Sequence, residues 1–284
     1  MRNVCLWALL CDDLSVTVNE VKDLTLVAEF RKLIGKSILS EIDIAKGISI
    51  IETIEDCTLL ENCLPKDDIH HTLRIGITGA PGVGKSTFVN AFLTYVDSTK
   101  LRIAVIAVDP SSHRTNGAIL ADRIRMSNSS NFDQIFFRSM ATRGAYGGLV
   151  KNIKIIMNFL QFTGFEMIIL ETVGVGQNEI EVSSNVDFVI NLLDSNVGDE
   201  IQIEKAGIME IGDILFINKE DRGINPSFLS SIQKSLEYEN HLLGKERKLI
   251  VGSAIELTGL SVVVDCINGK VLHKLPVRDV KNGE

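Results

Sequence analysis

The sequence has no C-x-x-C pair, no apolar run long enough to cross a bilayer, no repeat, no low-complexity tract and no excess of positive charge. Each absence removes a class of function. The five cysteines, Cys5, Cys11, Cys57, Cys63 and Cys266, are odd in number and fall into no metal-ligand spacing. That argues against a disulfide scaffold and against a structural zinc site, and points to free thiols in a reducing, cytoplasmic location. Cys57 and Cys63 with His70 and His71 come nearest to a metal cluster, and their spacing fits no metal pattern. Lys and Arg number 29 and Asp and Glu 37, a net charge of −8. An acidic chain is a poor general binder of nucleic acid or anionic membrane, so neither is expected as a partner; small molecules and proteins are. The opening stretch MRNVCLWALLC is apolar but short, lacks a small-residue cleavage site and runs into Asp12 and Asp13. A membrane span, a signal peptide and a mitochondrial transit peptide are therefore not expected.

What is present is more specific. Residues 79 to 86 read GAPGVGKS, of the form G-x-x-x-x-G-K-[ST]. Gly79, Gly82 and Gly84 let successive backbone N–H groups turn toward one anion. Lys85 supplies a point charge for β- and γ-phosphates, and Ser86 a hydroxyl for a magnesium ion. A short strand, Arg74–Thr78, is expected before the loop and a helix, Ser86–Tyr95, after it, with its dipole favouring phosphate. Gly79, Ala80, Pro81, Gly82, Val83, Gly84, Lys85, Ser86 and Thr87 are thus the candidate phosphate contacts.

The base is read elsewhere. Residues 218 to 221 are NKED, of the form N-K-x-D, after the apolar run Ile214–Ile217. A carboxylate at a strand end accepts from both the ring N–H and the exocyclic amine of guanine, and adenine cannot satisfy it. A site built around such hydrogen bonds rejects an analogue lacking them by roughly four powers of ten. Asp221 is the candidate for guanine selection. Asn218 would tie its loop to the phosphate loop, and the Lys219 stem would cover the base. Ser253 and Ala254, after the strand-like Lys248–Val251, would add a backbone N–H to the base pocket.

The chain has 284 residues and is 45% hydrophobic, enough for one large α/β domain with an appendage. Residues 1–70 are expected to form a small N-terminal helical segment. Apolar residues at helical spacing over Leu26–Ile54 predict two or three helices, broken near Gly35 and Gly47. Residues 71–265 are expected to form the nucleotide domain and 266–284 a short tail. Strands are predicted at Arg74–Thr78, Arg102–Val108, Gln134–Phe137, Met167–Glu171, Phe188–Leu193, Asp213–Ile217 and Lys248–Val251. Helices are predicted at Ser86–Tyr95, Leu149–Phe162, Glu200–Ile211 and Pro226–Leu243. Apolar strands alternating with helices imply a mostly parallel sheet covered on both faces, the P-loop NTPase architecture, with ligands at the carboxyl ends of the strands.

Magnesium needs oxygen ligands beyond Ser86. Asp109 and Glu171 end predicted strands and Asp122 follows in ILADRIRM; all three are candidate metal-side carboxylates. Gly174, three residues after Glu171, can bring a backbone N–H to the γ-phosphate, and Gly174 with Gly176 allows that segment to move as a switch. Gln177 is a candidate for orienting water or a plain surface residue. Arg143, in ATRGAYGGL, is a candidate contact for phosphate or for a partner.

VDPSSHRTNGAILADRIRM, ATRGAYGGL, ETVGVGQNEIEV, GDEIQIEKAGIMEIGD and INKED stand in this order. Together they resemble the methylmalonyl-CoA mutase-associated GTPases, also described as arginine/ornithine transport system kinase-like proteins. The resemblance runs from about residue 72 to 255, and more loosely through the N-terminal helices. It implies a GTPase of the class that includes the signal recognition particle and nickel-insertion GTPases, using GTP/GDP and Mg2+. It implies a metallochaperone for an adenosylcobalamin-dependent acyl-CoA mutase, working as a homodimer. By the same resemblance Lys85 and Ser86 are the phosphate-loop pair, Asp109, Asp122 and Glu171 surround magnesium, and Asn218, Lys219 and Asp221 read guanine. Lys85, Glu171, Gln177 and Lys205 are the candidates for assisting hydrolysis. The chain departs from the family at Asn116, where a glycine is usual, and at Glu204-Lys205, where two lysines are frequent. It also ends soon after Leu275-Pro276, where many members continue into a dimerising arm. Competing readings are a phosphotransferase of an arginine/ornithine transport system, a nickel-insertion GTPase and a nucleotide-gated binding module.

Overall fold

A computed structural model describes residues 18–65, 72–96, 101–109, 135–141, 152–172, 183–195, 212–244, 246–270 and 275. In chain order the elements begin with helices α1 (Val18–Ile34), α2 (Glu41–Thr53) and α3 (Thr58–Glu61), then strand β1 (Leu73–Gly79), α4 (Lys85–Tyr95), β2 (Ile103–Asp109) and β3 (Ile135–Ala141). They continue with α5 (Ile153–Phe162), β4 (Met167–Thr172), β5 (Phe188–Asp194), β6 (Ile214–Asn218), α6 (Pro226–Leu243), β7 (Lys248–Val251) and α7 (Leu260–Lys270). By backbone contacts the chain divides into two compact units, Met1–Ile69 with Lys154–Thr163, and His70–Ile153 with Gly164–Glu284.

In the first unit Val27, Phe30 and Leu33 of α1 recur every third residue and are buried, as are Ile44, Ile48 and Ile51 of α2. Phe30 meets Phe159, from the α5 segment assigned to this unit, at 5.3 Å between ring centroids. The chain does leave α1 at Gly35, as expected. It does not break at Gly47, which lies inside α2. A Cβ there would stand 2.4 Å from Phe159 Cζ, so the glycine makes room for a ring rather than ending a helix. Ser40 opens α2 with a capping box: its hydroxyl accepts from Asp43 N at 3.2 Å, and its own N–H donates to Asp43 Oδ2 at 3.1 Å. Asp23, buried on α1, accepts from the N–H groups of Glu55 and Asp56 and so ties the exit of α2 to α1.

Among the described residues the second unit carries a seven-stranded sheet in the order β3-β2-β4-β1-β5-β6-β7, every pair parallel. All seven predicted strands are present. β3 runs on to Ala141, four residues past the expected end, because Arg138 and Ser139 are polar yet pair with Ile106 and Ala107 of β2. β6 is buried on both faces: Ile214 and Phe216 join a core with Phe88 and Phe92 of α4, while Leu215 and Ile217 join another with Phe228, Ile232 and Leu236 of α6. Phe88 and Phe216 meet edge-to-face at 4.9 Å. Burying one such ring contributes about 1.5–3 kcal/mol.

α6 spans the predicted residues because its ends are written locally. The Asn225 side chain accepts from Ser227 N at 3.0 Å, Pro226 follows, and Gly244 closes the helix at φ +61°. α5 starts at Ile153, later than expected, behind Asn152 at φ +73°. The helix predicted over Glu200–Ile211 lies outside the described residues. No helix was predicted over α7, whose Val262, Val263 and Val264 have low helix propensity. Burial of Leu260, Val263, Val264, Cys266 and Ile267 overrides that propensity and carries the helix past residue 265, where a tail was expected to begin.

Candidate nucleotide site

Because the sheet is parallel, the carboxyl ends of β1, β4, β5 and β6 share one edge. Register sets Ile77 beside Glu171, Gly79 beside Leu192, and Asp194 beside Asn218. β1 has β4 on one side and β5 on the other, so the loop leaving it lies at the centre of that edge.

Two glycines of the loop have no substitute. Gly79 lies at φ +142°, and a Cβ would meet Leu192 O at 2.4 Å. Gly84 lies at φ +100°, and its Cβ would meet Asn218 Nδ2 at 2.7 Å. Both positions are excluded to L side chains by conformation and by space. Val83 and Lys85 are buried and anchor the loop, while Ala80, Pro81, Gly82, Ser86 and Thr87 face solvent. Lys85 Nζ donates to the carbonyls of Gly79 at 2.8 Å and Ala80 at 3.0 Å. These carbonyls hold its charge against the start of the loop.

Ser86 Oγ donates to Glu171 Oε1 at 2.8 Å, joining the start of α4 to the end of β4. A hydroxyl and a carboxylate within one hydrogen bond are hard oxygen donors of the kind magnesium takes. Asp109 is the last residue of β2, beside Ala141 of β3. Asp122, Arg143, Gly174, Gln177 and Lys205 lie outside the described residues.

The residues expected to read the base converge on the same loop. Asn218, nearly fully buried, donates from Nδ2 to Val83 O at 2.9 Å and accepts at Oδ1 from Ala254 N at 3.0 Å. One side chain thus ties together the phosphate loop, the end of β6 and the loop after β7. Of the pair Ser253 and Ala254, expected to add a backbone N–H to the base pocket, Ala254 gives its N–H to Asn218 in this structure. Lys219 reaches Gly82 O at 2.8 Å. Asp221 is exposed at the 3-10 turn Glu220–Arg222, and Ser253 Oγ donates to its Oδ1 at 2.5 Å. Ser253 is itself held by Thr258, whose Oγ1 accepts from Ser253 N at 2.8 Å.

Two residues here were passed over in the sequence. Asp194 pairs with Lys219 Nζ at 2.5 Å, and Ser195 Oγ donates to Lys219 O at 3.0 Å. The available signal was the one used for Asp109 and Glu171, an acid closing an apolar strand, here in FVINLLD.

A model of the family described as methylmalonyl Co-A mutase-associated GTPase MeaB matches residues 46–273. The chain belongs to the MeaB family. Over 198 residues this MeaB-family chain is 38% identical to GTPase ArgK of Escherichia coli, covering 68% of the chain and 60% of ArgK. Over 149 residues it is 39% identical to the mitochondrial methylmalonic aciduria type A homolog of Caenorhabditis elegans, 52% of the chain and 37% of that protein. The chain spans 60% or less of the length of the curated relatives it matches first. Among solved structures it is similar to a LAO/AO transport system kinase, with a TM-score of 0.57 and 26% identity over 89% of this chain and 76% of that one. The hydrogenase maturation factor HypB of Archaeoglobus fulgidus shares the fold, at a TM-score of 0.51 and 16% identity over 88% of this chain and 98% of that one. MeaB membership and these neighbours agree with a P-loop GTPase fold.

Proposed function

We propose that this chain binds GTP with Mg2+, hydrolyses it to GDP and phosphate, and uses that cycle to gate or protect adenosylcobalamin loading of a B12-dependent acyl-CoA mutase. The observation that carries the nucleotide assignment is Asn218, which bonds the phosphate loop through Val83 O and the loop after β7 through Ala254 N. An arrangement that ties base-side and phosphate-side loops through one buried amide suits a ligand with a base at one end and phosphates at the other. Asp221 would accept from guanine N1–H and the 2-amine, and Ser253 would orient its carboxylate. Lys85 would exchange the Gly79 and Ala80 carbonyls for β- and γ-phosphate oxygens. Ser86 and Glu171, with Asp109 and Asp122, would hold magnesium, which when bound offsets the charge of the phosphates. Arg143 and the Gly174 N–H would contact phosphate, and Gln177 and Lys205 are the proposed aids to hydrolysis.

The mutase partner is supported by the family description and by the names of the relatives. A homodimer, a cytoplasmic location and a nucleotide domain that starts at residue 71 and runs through α7, past the bound of 265 read from the sequence, belong to the same proposal. The name of the solved neighbour favours a second reading, phosphoryl transfer to a transport protein.

The test is turnover of GTP and of ATP by the purified chain, with and without an adenosylcobalamin-dependent acyl-CoA mutase from the same source. The expected result is GTP-selective release of free phosphate whose rate changes with the mutase. ATP turnover at a comparable rate would overturn the role of Asp221. Indifference to the mutase would overturn the partner, and label transferred from GTP to protein would favour the kinase reading.

A further inference from the structure

Lys219 holds a conformation that a residue with a Cβ adopts at a cost. Its backbone is left-handed, at φ +68° and ψ +34°, and it caps the 3-10 turn that carries Asp221. Such a conformation persists where the surroundings over-determine it, and here the surroundings can be named. Ser195, buried at the end of β5, donates its N–H to Asn218 O at 3.1 Å and its hydroxyl to Lys219 O at 3.0 Å. Asp194 Oδ2 takes the Lys219 ammonium at 2.5 Å, and Gly82 O accepts from the same ammonium at 2.8 Å. Lys219 and Asp194 are each only 18% exposed, so water competes weakly for their ion pair. On the far side Glu220 N donates to Gly252 O at 3.2 Å. Both ends of Lys219 are therefore clamped, the backbone by Ser195 and the side chain by Asp194. The residue so clamped stands two positions before the carboxylate that meets the base.

We infer that Asp194 and Ser195 are positioning residues for guanine selection: by holding Lys219 in its left-handed conformation they set the direction of the Asp221 carboxylate. The inference rests on the guanine-reading role proposed for Asp221. Reading guanine with both carboxylate oxygens demands a fixed direction, because N1–H and the 2-amine point along one edge of the base. Hypoxanthine keeps N1–H and lacks the 2-amine. The ratio of dissociation constants for IDP and GDP therefore reads the second hydrogen bond alone. A variant that merely leaves part of the protein unfolded lowers the number of sites and does not alter that ratio.

The experiment is titration of the full chain with GDP and with IDP in the presence of Mg2+, for the unaltered protein, Asp194→Asn, Ser195→Ala and Asp221→Ala. Asp194→Asn keeps the shape and removes the charge; Ser195→Ala removes one hydroxyl. The unaltered chain is expected to prefer GDP, and Asp221→Ala to abolish that preference. Asp194→Asn is expected to lower the ratio about tenfold, the scale of one charge-assisted hydrogen bond, and Ser195→Ala to lower it less. Full stoichiometry with an unchanged ratio in both variants would overturn the positioning role while leaving Asp221 intact. An unaltered chain that binds IDP as well as GDP, or an Asp221→Ala variant that keeps the preference, would overturn the guanine reading and the inference with it.

Discussion

At the scale of single residues, the site depends on polar atoms with defined partners. Asn218→Ala would leave Val83 O and Ala254 N without their partner, an expected loss of about 1–3 kcal/mol measurable by urea denaturation. The same change releases the phosphate loop from the base-side loop, so GTP affinity should fall as well. Asp221→Asn tests the chemistry rather than the scaffold. An amide donates where the carboxylate accepted, which suits the 2-carbonyl of xanthine and not the 2-amine of guanine. Its kcat/KM for GTP is expected to drop by roughly 10³–10⁴ and to be recovered in part with xanthosine triphosphate. If GTP turnover survives that substitution unchanged, Asp221 does not read the base. Lys85, Ser86, Glu171, Asn218 and Asp221 could be singled out in the sequence, because each belongs to a short motif or ends an apolar strand. Asp194 has the second of these signals too, but its role comes from its pairing with Lys219, 25 residues away.

At the scale of elements, local sequence and packing can oppose one another. In an exposed helix Gly→Ala stabilises by about 1 kcal/mol. In α2, Gly47→Ala would put a Cβ 2.4 Å from Phe159 Cζ, and overpacking of this kind costs about 1–3 kcal/mol. Gly47→Ala is therefore expected to lower the denaturation midpoint, and Phe159→Leu in the same chain to restore part of it. The cap of α2 makes a pH-dependent contribution. Hydrogen bonds from Lys36 first, then from the Ser40 hydroxyl and N–H, hold the Asp43 carboxyl at about 2, below its ordinary 3.8. Since the folded value lies below the unfolded one, the stability Asp43 contributes is fully present above 3.8 and is lost as pH falls through about 2. Asp43→Asn should lower the thermal midpoint near neutral pH, and the gap between variant and parent should close as pH falls from about 4 to about 2. A gap that persists at the acid end would mean that the cap acts through shape and not through charge. α6 shows agreement between the two levels, with Asn225, Pro226 and Gly244 marking its ends. α7 shows conflict, since its valine run favours a strand and its buried face makes it a helix.

At the scale of the whole molecule, a ligand held at the carboxyl edge of the sheet stabilises the unit that contains it. GDP at a hundredfold excess over its Kd should add about 2.7 kcal/mol to unfolding. Hydrogen exchange should locate the added protection at the ends of β1, β4, β5 and β6 and in the first turn of α4. Lys85→Ala should abolish the thermal shift; a shift that remains would mean binding elsewhere. The sequence alone determined the identity and spacing of the chemical groups, the existence of seven strands and the ends of α6. Those features rest on interactions within a few residues: glycines needed by a turn, a cap beside its helix, an apolar run that suits a buried strand. Only the tertiary structure decided the strand order, the passage of α2 through Gly47, the helical state of Leu260–Lys270 and the clamp of Asp194 and Ser195 on Lys219. Each of these depends on what a residue meets from a distant part of the chain, where burial and close contact outweigh local preference.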